Sequence, residues 1–156
     1  MSKQAYTVWT DGSWRPPNFG SYAVLIFQDD KEIACLSGPV FHCTINCMEL
    51  LAIHEALAYF KEPGQTIHLI SDSQYAVNCM TRWARHWQKN AWLTVTGDPV
   101  KNRDLIEKIY TLCQIHQVTF RWVRGHDGNK NNERCDKIAK DITRAMVAKT
   151  ILPPIV

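Results

Sequence analysis

The sequence has no run of about 18 apolar residues, so no segment reads as a membrane-spanning helix. Its first residues, MSKQAY, lack the apolar core of an export signal. A cytoplasmic protein is therefore expected. No internal repeat, linker or low-complexity stretch breaks the chain, so one domain is expected. Cysteine occurs six times, a count that could suggest disulfides. Cys35, Cys43, Cys47, Cys79, Cys113 and Cys135 fall within apolar or helical patterns, and they read as reduced thiols of an intracellular protein. His42-Cys43-x-x-x-Cys47 has no second ligand pair at recognised spacing and enters a helix, which argues against zinc.

What is present suffices for a sizeable core: 156 residues of ordinary apolar content. The net charge of +3 comes from 18 basic and 15 acidic groups. It is compatible with a nucleic-acid partner but does not require one.

The chain is organised around Tyr6–Ser13, YTVWTDGS. Alternating β-branched and aromatic residues predict a central strand, and Asp11-Gly12-Ser13 predicts a turn at its exit. Trp14–Phe19 reads as a Pro-rich loop. Ser21–Gln28 and Glu32–Ser37 read as two further strands joined by a tight turn at Asp29-Asp30-Lys31. From Thr44 to Phe60 the period becomes helical, with Leu50, Ile53, Leu57 and Phe60 recurring. Thr66–Ser71 predicts a buried parallel strand and Ser73–Met80 a short helix. Val100–His116 reads as a helix and Gln117–Val123 as a fifth strand. After a polar loop over Gly125–Asn132, Glu133–Ala148 predicts a last helix. Residues 1–149 are expected as the domain and 150–156 as a flexible tail. Three antiparallel strands followed by strand–helix alternation predict an α/β fold, a mixed five-stranded sheet flanked by helices. Sites in such sheets form beyond strand carboxyl ends where the strand order reverses.

Four acids have two readings each. Asp11 is a turn cap or a metal ligand at a strand exit. Asp72 is a helix N-cap or a second ligand, about 4.8 Å away if its strand neighbours the first. Glu49 lies on a buried helical face, as half of a capping box with Asn46 or as a ligand. Asp136 sits near a helix start, where the dipole favours it, or joins the others. His126, in a Gly-containing loop, is a solvated residue or a proton shuttle. Together the acids argue for a cation, because four unneutralised carboxylates repel one another. Hard oxygen ligands point to Mg²⁺, with Mn²⁺ as substitute. Two such ions serve in-line phosphodiester cleavage.

The motifs resemble type 1 ribonuclease H, the bacterial-like family that cuts RNA in RNA–DNA hybrids. The matching pieces are Thr10-Asp11-Gly12-Ser13, Asn46-x-Met48-Glu49-Leu50, Ser71-Asp72-Ser73-Gln74-Tyr75, Trp83/Trp87/Trp92, Pro99-Val100-Lys101-Asn102, Trp122-Val123-x-Gly125-His126 and Asn132-Glu133-Arg134-Cys135-Asp136. They occur in family order over residues 5–145. The resemblance implies a sheet of order 3-2-1-4-5 with an antiparallel second strand. It implies Asp11, Glu49, Asp72 and Asp136 as ligands of two metal ions once substrate is bound, and His126 as an aid to product release. It implies products with 5′-phosphate and 3′-hydroxyl ends. Asn46 and Gln74 match minor-groove contacts, Gly12 and Ser13 backbone positions near the cut strand, and Thr44 part of a phosphate pocket. A free-standing monomer is expected.

Arg82–Arg103 matches the family's basic protrusion, with Trp87 and Lys89 among its substrate contacts. It carries few lysines, so a weaker, more salt-sensitive grip on the hybrid is expected. Three features depart from the pattern. The first turn is Pro-rich, Ile45 stands where an Asn pair is common, and residues after Ala145 match nothing. Rival readings are a transposase-, integrase- or resolvase-like nuclease and a binding module without catalysis. The protrusion argues against the first, and the complete set of acids against the second.

Overall fold

The structure is a computed structural model that describes residues 5–151, with the side chains of residues 150 and 151 outside the description. The strands are β1 (Ala5–Arg15), β2 (Phe19–Gln28), β3 (Lys31–Phe41), β4 (Thr66–Ser71) and β5 (Gln117–Trp122). The helices are α1 (Ile45–Ala58), α2 (Gln74–Asn78), α3 (Ala84–Lys89), α4 (Arg103–Ile115) and α5 (Lys130–Ile151). A π-helical turn, Cys79–Trp83, links α2 to α3. The sheet order is β3-β2-β1-β4-β5, as expected. β2 is antiparallel to both neighbours, whereas β1, β4 and β5 run parallel.

Strand alternation sorts the apolar residues into two layers. Val8, Val24 and Ile26 face one side and pack with Leu50, Ile53, Leu57, Ile106 and Ile109 of α1 and α4. Trp9, Ala23, Leu25 and Ile70 face the other and pack with Cys135 and Ala139 of α5. Burying apolar surface on both faces is what stabilises such a three-layer arrangement.

Several boundaries differ from the sequence reading. The expected turn at Asp11-Gly12-Ser13 is strand. β1 continues to Arg15 because β2 pairs with it residue by residue, from Asp11↔Ala23 to Arg15↔Phe19. β3 runs past Gly38-Pro39 to Phe41, since an edge strand tolerates a proline that donates no ladder hydrogen bond. Asp29 and Asp30 both have positive φ, 49° and 64°, the geometry of a two-residue hairpin turn. α5 starts at Lys130 and reaches Ile151, so it enters the expected tail, and residues 152–156 lie outside the described residues.

One cysteine expectation is overturned: Cys43 and Cys47 form a disulfide. Cys43 directly precedes the N-cap of α1 and Cys47 lies in its first turn. The helix start therefore brings their Cα atoms to 5.7 Å, within bridging range. Cys35, Cys79, Cys113 and Cys135 are free thiols, as expected. Among the described residues, no helix is long and apolar enough to cross a membrane.

Candidate active site

The β1–β4 ladder ends at Thr10 and Ser71. The next residue on each strand is an aspartate, Asp11 and Asp72. β1 then goes on paired with β2 alone. A crevice thus opens where the parallel pair ends and the strand order reverses, the usual place for a site in such a sheet.

Glu49 arrives from α1, in the layer across the sheet from α5. It can do so because position 12 carries no side chain. A Cβ on Gly12 would stand 2.8 Å from Met48 Cβ and 3.0 Å from Glu49 N. Gly12 therefore lets the α1 backbone lie directly on β1. The result is one cluster, with a carboxylate oxygen from each of Asp11, Glu49 and Asp72 within 4.8 Å of the others.

The bland readings of these acids do not survive the geometry. The N-cap of α2 is Ser73, whose Oγ accepts from Ala76 N at 3.1 Å, so Asp72 is not the cap. The N-cap of α1 is Thr44, whose Oγ1 accepts from Cys47 N at 3.2 Å, so no capping box joins Asn46 to Glu49. Asp136 lies beyond the first turn of α5, which begins at Lys130.

Electrostatics make the cluster costly without a cation. Asp11 is 3 % exposed and Glu49 7 %. Gly12 N–H donates to Asp11 Oδ1 at 2.9 Å. Asp11 Oδ2 and Glu49 Oε2 are buried without a hydrogen-bond partner. Burial, reinforced by the charges of Asp72 and Asp136, pushes the Asp11 carboxyl up to about 8. Burial, then Asp11 and Asp72, holds Glu49 well above the usual carboxylate range. Two orphaned oxygens in an all-carboxylate donor set fit a hard divalent ion.

Asp136 stands outside that set of three. Lys140 Nζ lies 3.0 Å from its Oδ2, and His126 Nδ1 lies 4.0 Å from the same oxygen. His126 is exposed on its loop with φ 58°. Of the expected binding residues, Thr44, Asn46, Gln74 and Lys89 are exposed and Trp87 is half-buried. Ser13 is buried, with its hydroxyl 3.1 Å from Thr143 Oγ1 of α5. Gly12 is buried beneath α1.

Three supports of the site were given no role from sequence, although Trp122 and Gly125 lie in one of the matching motifs. Trp122 Nε1 donates to the Asp72 carbonyl at 3.0 Å. Gly125 leaves room for the Asp72 carboxylate, since a Cβ there would lie 3.0 Å from Oδ2. Lys140 neutralises Asp136 in part, and its i,i+4 spacing was the one readable signal.

The basic segment surrounds an aromatic groove of about 370 Å³ lined by Tyr75, Trp83, Trp87, Thr94 and Lys101, among others. Trp83 and Trp87 pack with tilted rings, their centroids 5.8 Å apart, and Trp87 meets Trp92 at 6.4 Å. Trp92 is buried, and the Arg103 guanidinium stands 5.5 Å above its ring. Trp92 thus packs the segment to the body, while Arg82, Arg85 and Lys89 remain exposed. Removing two of these charges, Arg85→Ala with Lys89→Ala, should flatten the salt dependence of nucleic-acid affinity by about one to two units of log–log slope. An unchanged slope would remove the segment from the binding surface.

Fold and site together define a mixed α/β protein with a carboxylate cluster at its switch point. An RNase H family profile matches residues 3–144. A ribonuclease H of Zymomonas mobilis subsp. mobilis is 42% identical over 139 residues, covering 88% of each chain. A ribonuclease H of Nitratidesulfovibrio vulgaris (strain DP4) is 43% identical over 155 residues, 98% of this chain and 96% of that one. The fold matches the crystal structure of LC9-RNase H1, described as a type 1 RNase H with the type 2 active-site motif. That match has a TM-score of 0.80 at 24% identity, over 93% of this chain and 74% of the other. The chain belongs to the ribonuclease H family, and is a hydrolase of that kind.

Proposed function

We propose that the chain is an endonuclease that hydrolyses the RNA strand of RNA–DNA hybrids with two divalent ions, Mg²⁺ or Mn²⁺. The reading rests on the paired orphan oxygens of Asp11 and Glu49 beside Asp72, in a chain of this family. Bound there, the ions supply an activated water and stabilise the departing 3′-oxygen, which gives 5′-phosphate and 3′-hydroxyl ends.

The chain's residues divide the remaining work. Asp11, Glu49 and Asp72 hold the ions. Asp136, now paired with Lys140, would be the fourth carboxylate to hold them. Asn46 and Gln74 contact the hybrid beside the crevice, with side chains that hydrogen-bond a 2′-hydroxyl or base edge without reading sequence, and Thr44 contacts a phosphate. Trp87 and Lys89 grip the DNA strand from the groove side. Residues 1–149 form the working domain, acting as a monomer.

His126 moves a proton at the leaving oxygen and helps product depart. Its loop position, with Nδ1 4.0 Å from Asp136, suits a shuttle rather than a fixed ligand. His126→Ala should cut turnover by about 10²-fold while leaving metal affinity unchanged, as read by kcat and by calorimetric titration. Equal kcat in variant and wild type would remove this role.

A labelled hybrid, double-stranded DNA and double-stranded RNA, each incubated with Mg²⁺ and then with chelator, test the whole reading. The hybrid alone should be cut, in its RNA strand, and chelator should stop it. Cleavage of DNA duplex would favour the transposase-like reading.

A further inference from the structure

The disulfide brackets a functional turn. Cys43 and Cys47 enclose Thr44, Ile45 and Asn46. Thr44 caps α1, and Asn46 lies exposed in its first turn. The far end of this turn is fixed, because Met48 and Glu49 rest on Gly12. The near end leaves β3 at Phe41, which pairs with Phe19, through His42, an exposed residue with φ 62° whose N–H donates to Asn18 O at 3.2 Å. Left-handed backbone is uncommon for a residue other than glycine, so this junction gains from a second tether. The disulfide supplies that tether.

The pair is also the reachable one. Cys43 and Cys47 are half-buried, whereas Cys79 and Cys135 are buried. Burial raises the thiols of Cys79, Cys113 and Cys135 and so disfavours their reactive thiolates. Cys35 is exposed on β3 without a disulfide partner.

We propose that Cys43 and Cys47 are a reversible thiol–disulfide site that sets the affinity of the Thr44–Asn46 turn for RNA–DNA hybrid. This rests on the reading of Thr44 and Asn46 as hybrid contacts. The oxidant is a small-molecule disulfide of the glutathione class. One cysteine thiolate attacks it, forming a mixed disulfide and releasing one small thiol. The second cysteine thiolate then attacks the mixed sulfur, closing the Cys43–Cys47 bond and releasing the second small thiol. Two electrons and two protons pass from the protein to the reagent. In the closed form the turn is already ordered, so less conformational freedom is lost on binding. In the dithiol form the substrate has to order it.

The test uses the whole protein, equilibrated in oxidised or reduced glutathione buffer. Acid-quenched, denatured samples are alkylated and weighed to count thiols. Of six cysteines, four should be free in the oxidised sample and all six in the reduced one. KM for a hybrid should be about 3–10-fold higher in the reduced state with kcat unchanged, the gap reflecting the ordering of the turn. A Cys43→Ser, Cys47→Ser pair should show the reduced-state KM in both buffers. Cys43→Ala, Cys47→Ala serves the same comparison if the serine pair does not fold. Six free thiols in the oxidised sample, equal KM in both states, or a buffer-dependent KM in the paired variant would each overturn the proposal. Four free thiols without hybrid cleavage in either state would instead refute the nuclease reading, and with it the affinity effect.

Discussion

Asp11→Asn abolishes cleavage and makes the metal-free protein more stable. The two effects share one cause. Asp11 is buried beside two other acids, and its Oδ2 has no donor. An amide cannot replace it as an anionic ligand, so hybrid cleavage should fall by at least about 10³-fold. The same amide removes charge repulsion and the cost of burying an anion. The sign follows from the raised carboxyl. Between the ordinary value of 3.8 and about 8, the folded chain keeps a proton that the unfolded chain has lost. Stability of the metal-free wild type therefore falls as pH rises through that window. Asn at position 11 escapes this loss, so its advantage should be about 1–3 kcal/mol at pH 8 and vanish near pH 4. Saturating Mg²⁺ should reverse the order, because ligand bound to the native state stabilises only the wild type. Denaturant titrations at both pH values, with and without metal, read every part. A variant less stable than wild type at pH 8 without metal would contradict the charge argument.

Gly12→Ala has the opposite sign on stability and also removes activity. The added methyl would meet Met48 Cβ at 2.8 Å and Met48 C at 2.9 Å. These are backbone-linked atoms, which no rotamer change can move aside. α1 must shift off β1, at a cost of about 1–3 kcal/mol for overpacking. Glu49 moves with it, away from Asp11 and Asp72. Displacing a reactive group by about 1 Å costs about 10²-fold in rate, so kcat should drop by that order in the fraction that stays folded. Thermal unfolding and single-turnover rates separate the two effects. Wild-type kcat in a folded Ala variant would show that the close approach does not position Glu49.

Gly12 also shows where the sequence was readable and where it was not. Asp11, Glu49 and Asp72 could be found because each breaks a local rule, as a charge at a strand exit or on an apolar helical face. The alternation of strands and helices predicted a mixed five-stranded sheet, and its order was implied by the family resemblance alone. Asp11-Gly12-Ser13 misled because glycine and its neighbours signal a turn locally. The ladder from Asp11↔Ala23 onward is a long-range pairing that overrides that signal. The glycine is there for the helix above it, which no local pattern records. β3 was cut short at Gly38-Pro39 for the same kind of reason, since only an edge strand accommodates that pair. The cysteine pair was misread from compartment and composition, whereas its four-residue spacing across a helix start permits a bond. The Lys140–Asp136 pair could have been read from spacing, and the Trp122 bond to the Asp72 carbonyl could not.

The central claim is that Asp11, Glu49 and Asp72 converge to hold a divalent cation. Crystals soaked in Mn²⁺ and measured at an anomalous wavelength test it most directly. The predicted result is a peak about 2–2.3 Å from an oxygen of each of the three carboxylates, lost in the Asp11→Asn variant. A map with no peak at the cluster under saturating Mn²⁺, or one bound only elsewhere on the molecule, would contradict the account.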